Sequence, residues 1–165
     1  MDIIKASDDL DCIKASGRIR LVTKDKDGNV VDEINEPNNI LLQIRQPIIR
    51  LLGGVMTPNE DLPFINAIGF GSDDTPPTIT DKDLITPVNN SRRLLATAPT
   101  FSTDGLTATF CVLFDLVEPD IDGKDIKEAC LYTKDGVAVA RTVIGSYSKA
   151  AGMFFEFYWT IGYSA

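Results

Sequence analysis

The chain is 165 residues long, with 44% apolar and 24% charged residues, ordinary usage for one globular domain that can bury a core without a metal or disulfides. Sixteen basic residues against twenty-four acidic ones give a net charge of −8, so the clustered Lys and Arg of a nucleic-acid surface are not expected. Histidine is absent, which removes the commonest general base, the Ser-His and Cys-His pairs and nearly all catalytic zinc sites; neither an enzyme nor a cofactor is expected.

In chain order, residues 1–16 carry four aspartates and no clear period, which predicts an extended arm. Met1-Asp2-Ile3-Ile4-Lys5 lacks a basic region followed by an apolar stretch. No apolar run approaches the roughly 18 residues of a membrane span, so a soluble product of a cytoplasm is expected, with no membrane partner. Residues 17–165 are expected to form one domain. Arg18-Ile19-Arg20-Leu21-Val22 alternates, Asp25-Lys26-Asp27-Gly28-Asn29 has turn chemistry, and Val30-Val31-Asp32-Glu33-Ile34 returns; this predicts a β-hairpin. Asn39 follows Pro37-Asn38 as a helix N-cap, and Ile40, Ile44, Ile48, Leu51 and Leu52 recur near a 3.6 period up to Gly53-Gly54. One short helix is therefore predicted over about residues 39–53, kinked at Pro47.

The remainder reads as β. Strands are predicted at 64–70, 92–98, 106–114, 126–133, 137–143 and 153–161, with a long loop over 71–83 and a turn at Asp135-Gly136. In the last strand Met153, Phe155, Phe157, Trp159 and Ile161 alternate with Phe154, Glu156, Tyr158 and Thr160, so the odd face should be core. The fold class expected is mainly β, an antiparallel β-sandwich with one short helix and an extended N-terminal arm.

Five local patterns invite a functional reading. Cys12, Cys111 and Cys130 are odd in number with no C-x-x-C spacing; Cys111 and Cys130 read as small core side chains, and whether they are bonded stays open. Asp25-x-Asp27-Gly28 and Asp120-x-Asp122-Gly123 place Gly too early for an EF-hand loop, so both read as turns and no metal is expected. The acidic run Glu118, Asp120, Asp122, Asp125, Glu128 reads as a solvated loop. Gly69-Phe70-Gly71-Ser72 lacks the rest of a phosphate cradle and reads as tight turning; Asp73-Asp74 lacks the apolar setting of a glycosidase acid. Phe154, Tyr158, Trp159 and Tyr163 lie close together in the sequence and could stack on glycans, but an apolar ring such as Phe154 opposite the core points first to a partner chain.

Four features in order resemble tailed-bacteriophage virion structural proteins, the short tail-fibre and baseplate-associated proteins. The hairpin leads into Asn38-Asn39-Ile40 and a segment ending Leu51-Leu52-Gly53-Gly54. Ile65-Asn66-Ala67-Ile68-Gly69-Phe70-Gly71-Ser72-Asp73-Asp74-Thr75-Pro76-Pro77 is similar to the family's strand and "G-x-G-x-x-x-x-P" loop, followed by Asp81-x-Asp83-Leu84. Ala108-Thr109-Phe110 and Ile126-Lys127-Glu128-Ala129-Cys130-Leu131-Tyr132 resemble its central strands, with Cys130 where the family often has Gly. Val139-Ala140-Arg141 and Phe157-Tyr158-Trp159-Thr160-Ile161 are similar to its "L-x-A-R" and "W-T-I" elements. The likeness covers residues 17–161.

The resemblance implies a non-enzymatic virion component, made in the host cytoplasm and acting in the tail, baseplate or fibre attachment through other virion proteins and copies of itself. It brings no catalytic residues. A capsid decoration protein and a host glycan-binding adhesin are the alternatives. The expected assembly contacts are Ile3, Ile4 and Leu10 in the arm, Phe70, Pro76 and Pro77 at the long loop, and Phe154, Tyr158 and Tyr163 on the last strand.

Overall fold

The computed structural model describes residues 14–41 and 64–164. Nine strands and no helix occur among them: β1 Lys14–Lys24, β2 Val30–Ile40, β3 Ile65–Gly71, β4 Arg93–Leu94, β5 Thr100–Phe101, β6 Thr107–Phe114, β7 Ile126–Thr133, β8 Ala138–Tyr147 and β9 Phe154–Ser164. They form one antiparallel sheet in the order β4-β3-β7-β8-β2-β1-β9-β6-β5.

The β1–β2 hairpin follows from local chemistry. Asp25 Oδ1 accepts the backbone N–H groups of Asp27 and Asn29 at 2.9 Å each, and Oδ2 accepts Asn29 Nδ2 at 2.9 Å. Gly28 takes φ +85°, which glycine adopts without strain. The carboxylate closes its own turn, as the sequence predicts. β2 then runs further than expected. Asn39 and Ile40 pair with Arg141 and Ala140 of β8, and Leu41 N–H bonds Val139 O at 2.9 Å. The predicted helix therefore does not begin at 39: pairing with a strand distant in sequence overrides a helical pattern. Its remainder, 42–53, lies outside the described residues. The predicted arm shortens for the same reason, since residues 14–16 pair with Ser164, Tyr163 and Gly162 of β9.

The sheet curls until its two ends meet. β2 pairs with β1 along most of its length and with β8 at its end, so it turns one corner. The segment after Ser91 turns the other: Leu95 N–H bonds Asn66 O on β3 at 2.9 Å, and the next amide, Ala96 N–H, bonds Cys111 O on β6 at 2.8 Å. Consecutive residues thus join opposite ends of the strand order. Strands that bend between layers are the usual corners of orthogonally packed sheets.

Inside the curl, alternation decides burial. Ile19 and Leu21 of β1, Phe110, Val112 and Phe114 of β6 and Phe155, Phe157 and Trp159 of β9 face Ile68 and Phe70 of β3 and Ala129 and Leu131 of β7. Phe70 is the pivot. Its ring meets Phe114, Phe155 and Phe157 edge-on at centroid distances of 5.4, 5.8 and 5.1 Å, the favoured aromatic geometry. At 1% exposure it is no surface contact, contrary to the sequence expectation: the β3 alternation points it inward. Truncation of Phe70 to alanine should cost about 3–5 kcal/mol, measured by urea unfolding; a loss below about 1 kcal/mol would contradict this account of the core.

Candidate functional site

The long loop after β3 is not a loose connection. Its base is closed by Ser72 N–H to Thr86 O at 2.9 Å and by Val88 N–H to Phe70 O at 3.0 Å. Its middle is held by an ion pair with no solvent exposure, Arg141 of β8 and Glu128 of β7. Arg141 Nε donates to Glu128 Oε2 at 2.7 Å, Nη1 to Asp81 Oδ2 at 2.9 Å and Nη2 to Thr75 O at 3.1 Å. Glu128 also accepts Ile85 N–H at 3.1 Å and Thr86 N–H at 2.8 Å. A buried carboxylate needs its oxygens filled, and the loop backbone fills them.

The sequence pattern puts Glu128 in a solvated acidic run. The structure corrects this: Glu128 is fully buried, while Glu118 bonds Arg93 at 3.0 Å and Asp122 bonds the buried Lys149 at 2.5 Å. The glycines of Gly69-Phe70-Gly71 also differ from the turn reading. A Cβ on Gly71 would lie 2.3 Å from Glu128 Oε1 and 2.7 Å from Thr86 O. This glycine exists so that the Glu128 carboxylate and the loop can approach the strand.

The loop carboxylates beside Arg141, and Asp122 in its separate pair with Lys149, are held in their charged form. For Asp81 burial acts to raise the pKa, but hydrogen bonds from Thr78 and Arg141 and the Arg141 charge outweigh it, and the value falls below the ordinary 3.8. Asp73 is lowered through its bonds to Thr75. Asp122 is lowered because Lys149 and the Glu118 N–H outweigh burial. None is the raised acid a glycosidase requires. Among the described residues no group of three or more metal-type side chains is placed to hold an ion. Cys111 and Cys130 are both free, and burial pushes the Cys130 thiol up to about 12, which makes it a poor nucleophile.

Of the expected contacts, Pro76 is exposed and Pro77 half-buried on the pinned loop, with Pro77 O accepting Asn39 Nδ2 at 2.8 Å. Phe154 and Tyr158 are half-buried on the outer face of β9. Phe154 lines a shallow hollow of about 340 Å³ with Lys24, Leu113 and Glu156, and Tyr158 Oη donates to Glu156 Oε2 at 2.9 Å. Trp159 is fully buried and cannot stack on a glycan. Ile3, Ile4, Leu10 and the side chain of Tyr163 lie outside the described residues.

Sequence reasoning missed the exposed Leu94, Phe101, Leu106, Leu113 and Val117. Phe101 and Leu106 flank the turn-forming Ser102-Thr103-Asp104-Gly105, a signal that could have placed them at a hairpin tip. No family model, curated protein or solved structure matches the chain.

One outcome follows from the buried pair and a second from the depressed aspartates. Arg141→Met strands the Glu128 charge and should cost about 3–5 kcal/mol in urea unfolding; adding Glu128→Gln should recover much of that, since the amide oxygen still accepts the Thr86 N–H. Because Asp73, Asp81 and Asp122 are depressed, their stabilisation is full above the ordinary value of 3.8 and fades as pH falls through their lower folded values. The melting temperature should be flat above about pH 5 and decline below it; a decline centred near neutrality would contradict the assignment.

Proposed function

We propose that the chain is a non-catalytic virion structural protein of a tailed phage, a tail, baseplate or fibre-attachment component that works by fitting against other polypeptides. One observation carries the assembly reading. Phe101 pairs with Ala108 and so stands on the core-facing side of the sheet, yet it is 71% exposed. Leu106, two positions before Ala108 and on the same side, is also exposed. The sheet's apolar face extends past the layer that covers it, and such a surface is stabilised by a partner. The phage part of the reading is supported by the ordered motifs over residues 17–161.

The pinned loop adds a second surface. Pro76, Ile79 and Ile85 are exposed on it, while Arg141 and Glu128 hold its backbone beforehand. A loop already ordered loses little entropy on docking. Residues 1–13, with Ile3, Ile4 and Leu10, serve as the arm that engages a neighbour, and the curled sheet serves as the sandwich-like body.

Phe101→Asp tests this directly. The site is exposed, so unfolding free energy should move by no more than about 0.5 kcal/mol. The variant should fail to enter purified particles, scored by quantitative mass spectrometry against the parent. Normal incorporation, or absence of the parent from particles, would overturn the reading. Electron microscopy of labelled particles separates a tail position from capsid decoration.

A further inference from the structure

β2 and β8 run side by side only briefly. Beyond Pro37 they part. Pro37 has no N–H to give, and its carbonyl is taken by Thr142 Oγ1 at 2.7 Å. In an antiparallel strand the N–H and C=O of one residue point the same way, and residues alternate. Pro37, Asn39 and Leu41 turn toward β8, so Asn35 and Glu33 turn toward the same side. No strand among the described residues meets them there. Glu33 N–H is satisfied locally by Asp32 Oδ1 at 2.9 Å. On the facing strand Val139 and Arg141 turn toward β2, and Val143 follows by the same alternation with no β2 partner. The gap is thus flanked on both sides by backbone with no strand partner across it among the described residues.

Its chemistry is acidic. Asp32 and Glu36 are exposed and form no ion pair among the described residues. Asp32 stands opposite Thr23 in the β1–β2 register, and Thr23 Oγ1 meets Tyr147 Oη of β8 at 2.6 Å, so Asp32 shares the sheet face that looks toward the end of β8. Where the strands part, Glu36, Pro37, Pro77, Thr142 and Val143 line a hollow of about 200 Å³ together with Asn38, whose two amide atoms are buried without a partner. The lining is mixed, with Asn39 and Thr142 among it, and Pro37, Pro77 and Val143 beside the Glu36 carboxylate suit the stem and head of a lysine or arginine.

We infer that the gap between β2 and β8 receives an extended, basic segment of another polypeptide, which adds a strand to the curled sheet. The occupant is not this chain's own leading segment from a second copy. Residues 1–13 hold four aspartates against one lysine, and acid would then face Asp32 and Glu36. The inference rests on the assembly reading and names the chemistry of one partner.

The test uses the full chain and a short synthetic peptide of alternating lysine and valine, with a glutamate-valine peptide as control. Backbone hydrogen exchange is read by nuclear magnetic resonance. The lysine peptide should slow the Asn35 and Val143 amides together, and the control should not. Glu36→Lys should weaken binding by about tenfold, with the near-ultraviolet signal of buried Trp159 reporting an intact fold. Equal binding of the control, slowing on one side only, or a self-associated protein with both amides protected before peptide is added would each overturn the inference. Particle entry separates the two readings: normal entry of Glu36→Lys while Phe101→Asp is still excluded removes the gap's role and leaves the assembly reading standing.

Discussion

Glu128 and Arg141 face each other from neighbouring strands with no exposure to water, and charges so placed must be answered on every side. Removing two ions from water costs several kcal/mol each, which their attraction offsets only if the remaining hydrogen-bonding groups are filled. The arrangement here fills them from one source. Thr75 O, Asp81, Ile85 N–H and Thr86 N–H all belong to the loop after β3. The pair is therefore a clamp: it is tolerable only while the loop is in place, and the loop is ordered only while the pair is there. Gly71 is the steric condition, because any side chain at that position would displace the carboxylate.

The same logic of closure governs the sheet. A sheet of nine strands laid flat would leave one apolar face in water. Here two corners, one in β2 and one at Leu95 and Ala96, fold that face against itself around Phe70. The curl hides most of the open edges that would otherwise invite pairing with another chain. It leaves two exceptions. The core-facing side protrudes at Phe101 and Leu106, and the backbone ladder is interrupted beyond Pro37. The functional proposals rest on these two places.

The aromatic cluster of β9 illustrates how a sequence suggestion divides once the sheet is built. Phe155, Phe157 and Trp159 go to the core, while Phe154 and Tyr158 lie on the outer face beside Lys24, Arg20 and Glu156. Rings that look like one patch along the chain are separated by the thickness of a strand. That separation removes Trp159 from any stacking role and leaves the outer face to ion pairs and hydrogen bonds.

Features set by short-range chemistry were readable from the sequence alone: the hairpin closed by Asp25, the turn at Asp135-Gly136 and the inward alternation of β9. Side-chain period and turn propensity act over a few residues, so the chain itself carries them. Tertiary structure decided which carboxylate is buried, where β2 ends and which apolar residues remain uncovered. Glu128 meets Arg141 13 residues away and Thr86 42 residues away, and Arg141 meets Asp81 across 60. Asn39 and Ile40 became strand because β8 was there to pair with them. Burial of a charge and the fate of an edge depend on neighbours that only the folded sheet supplies, and no local pattern encodes their identity.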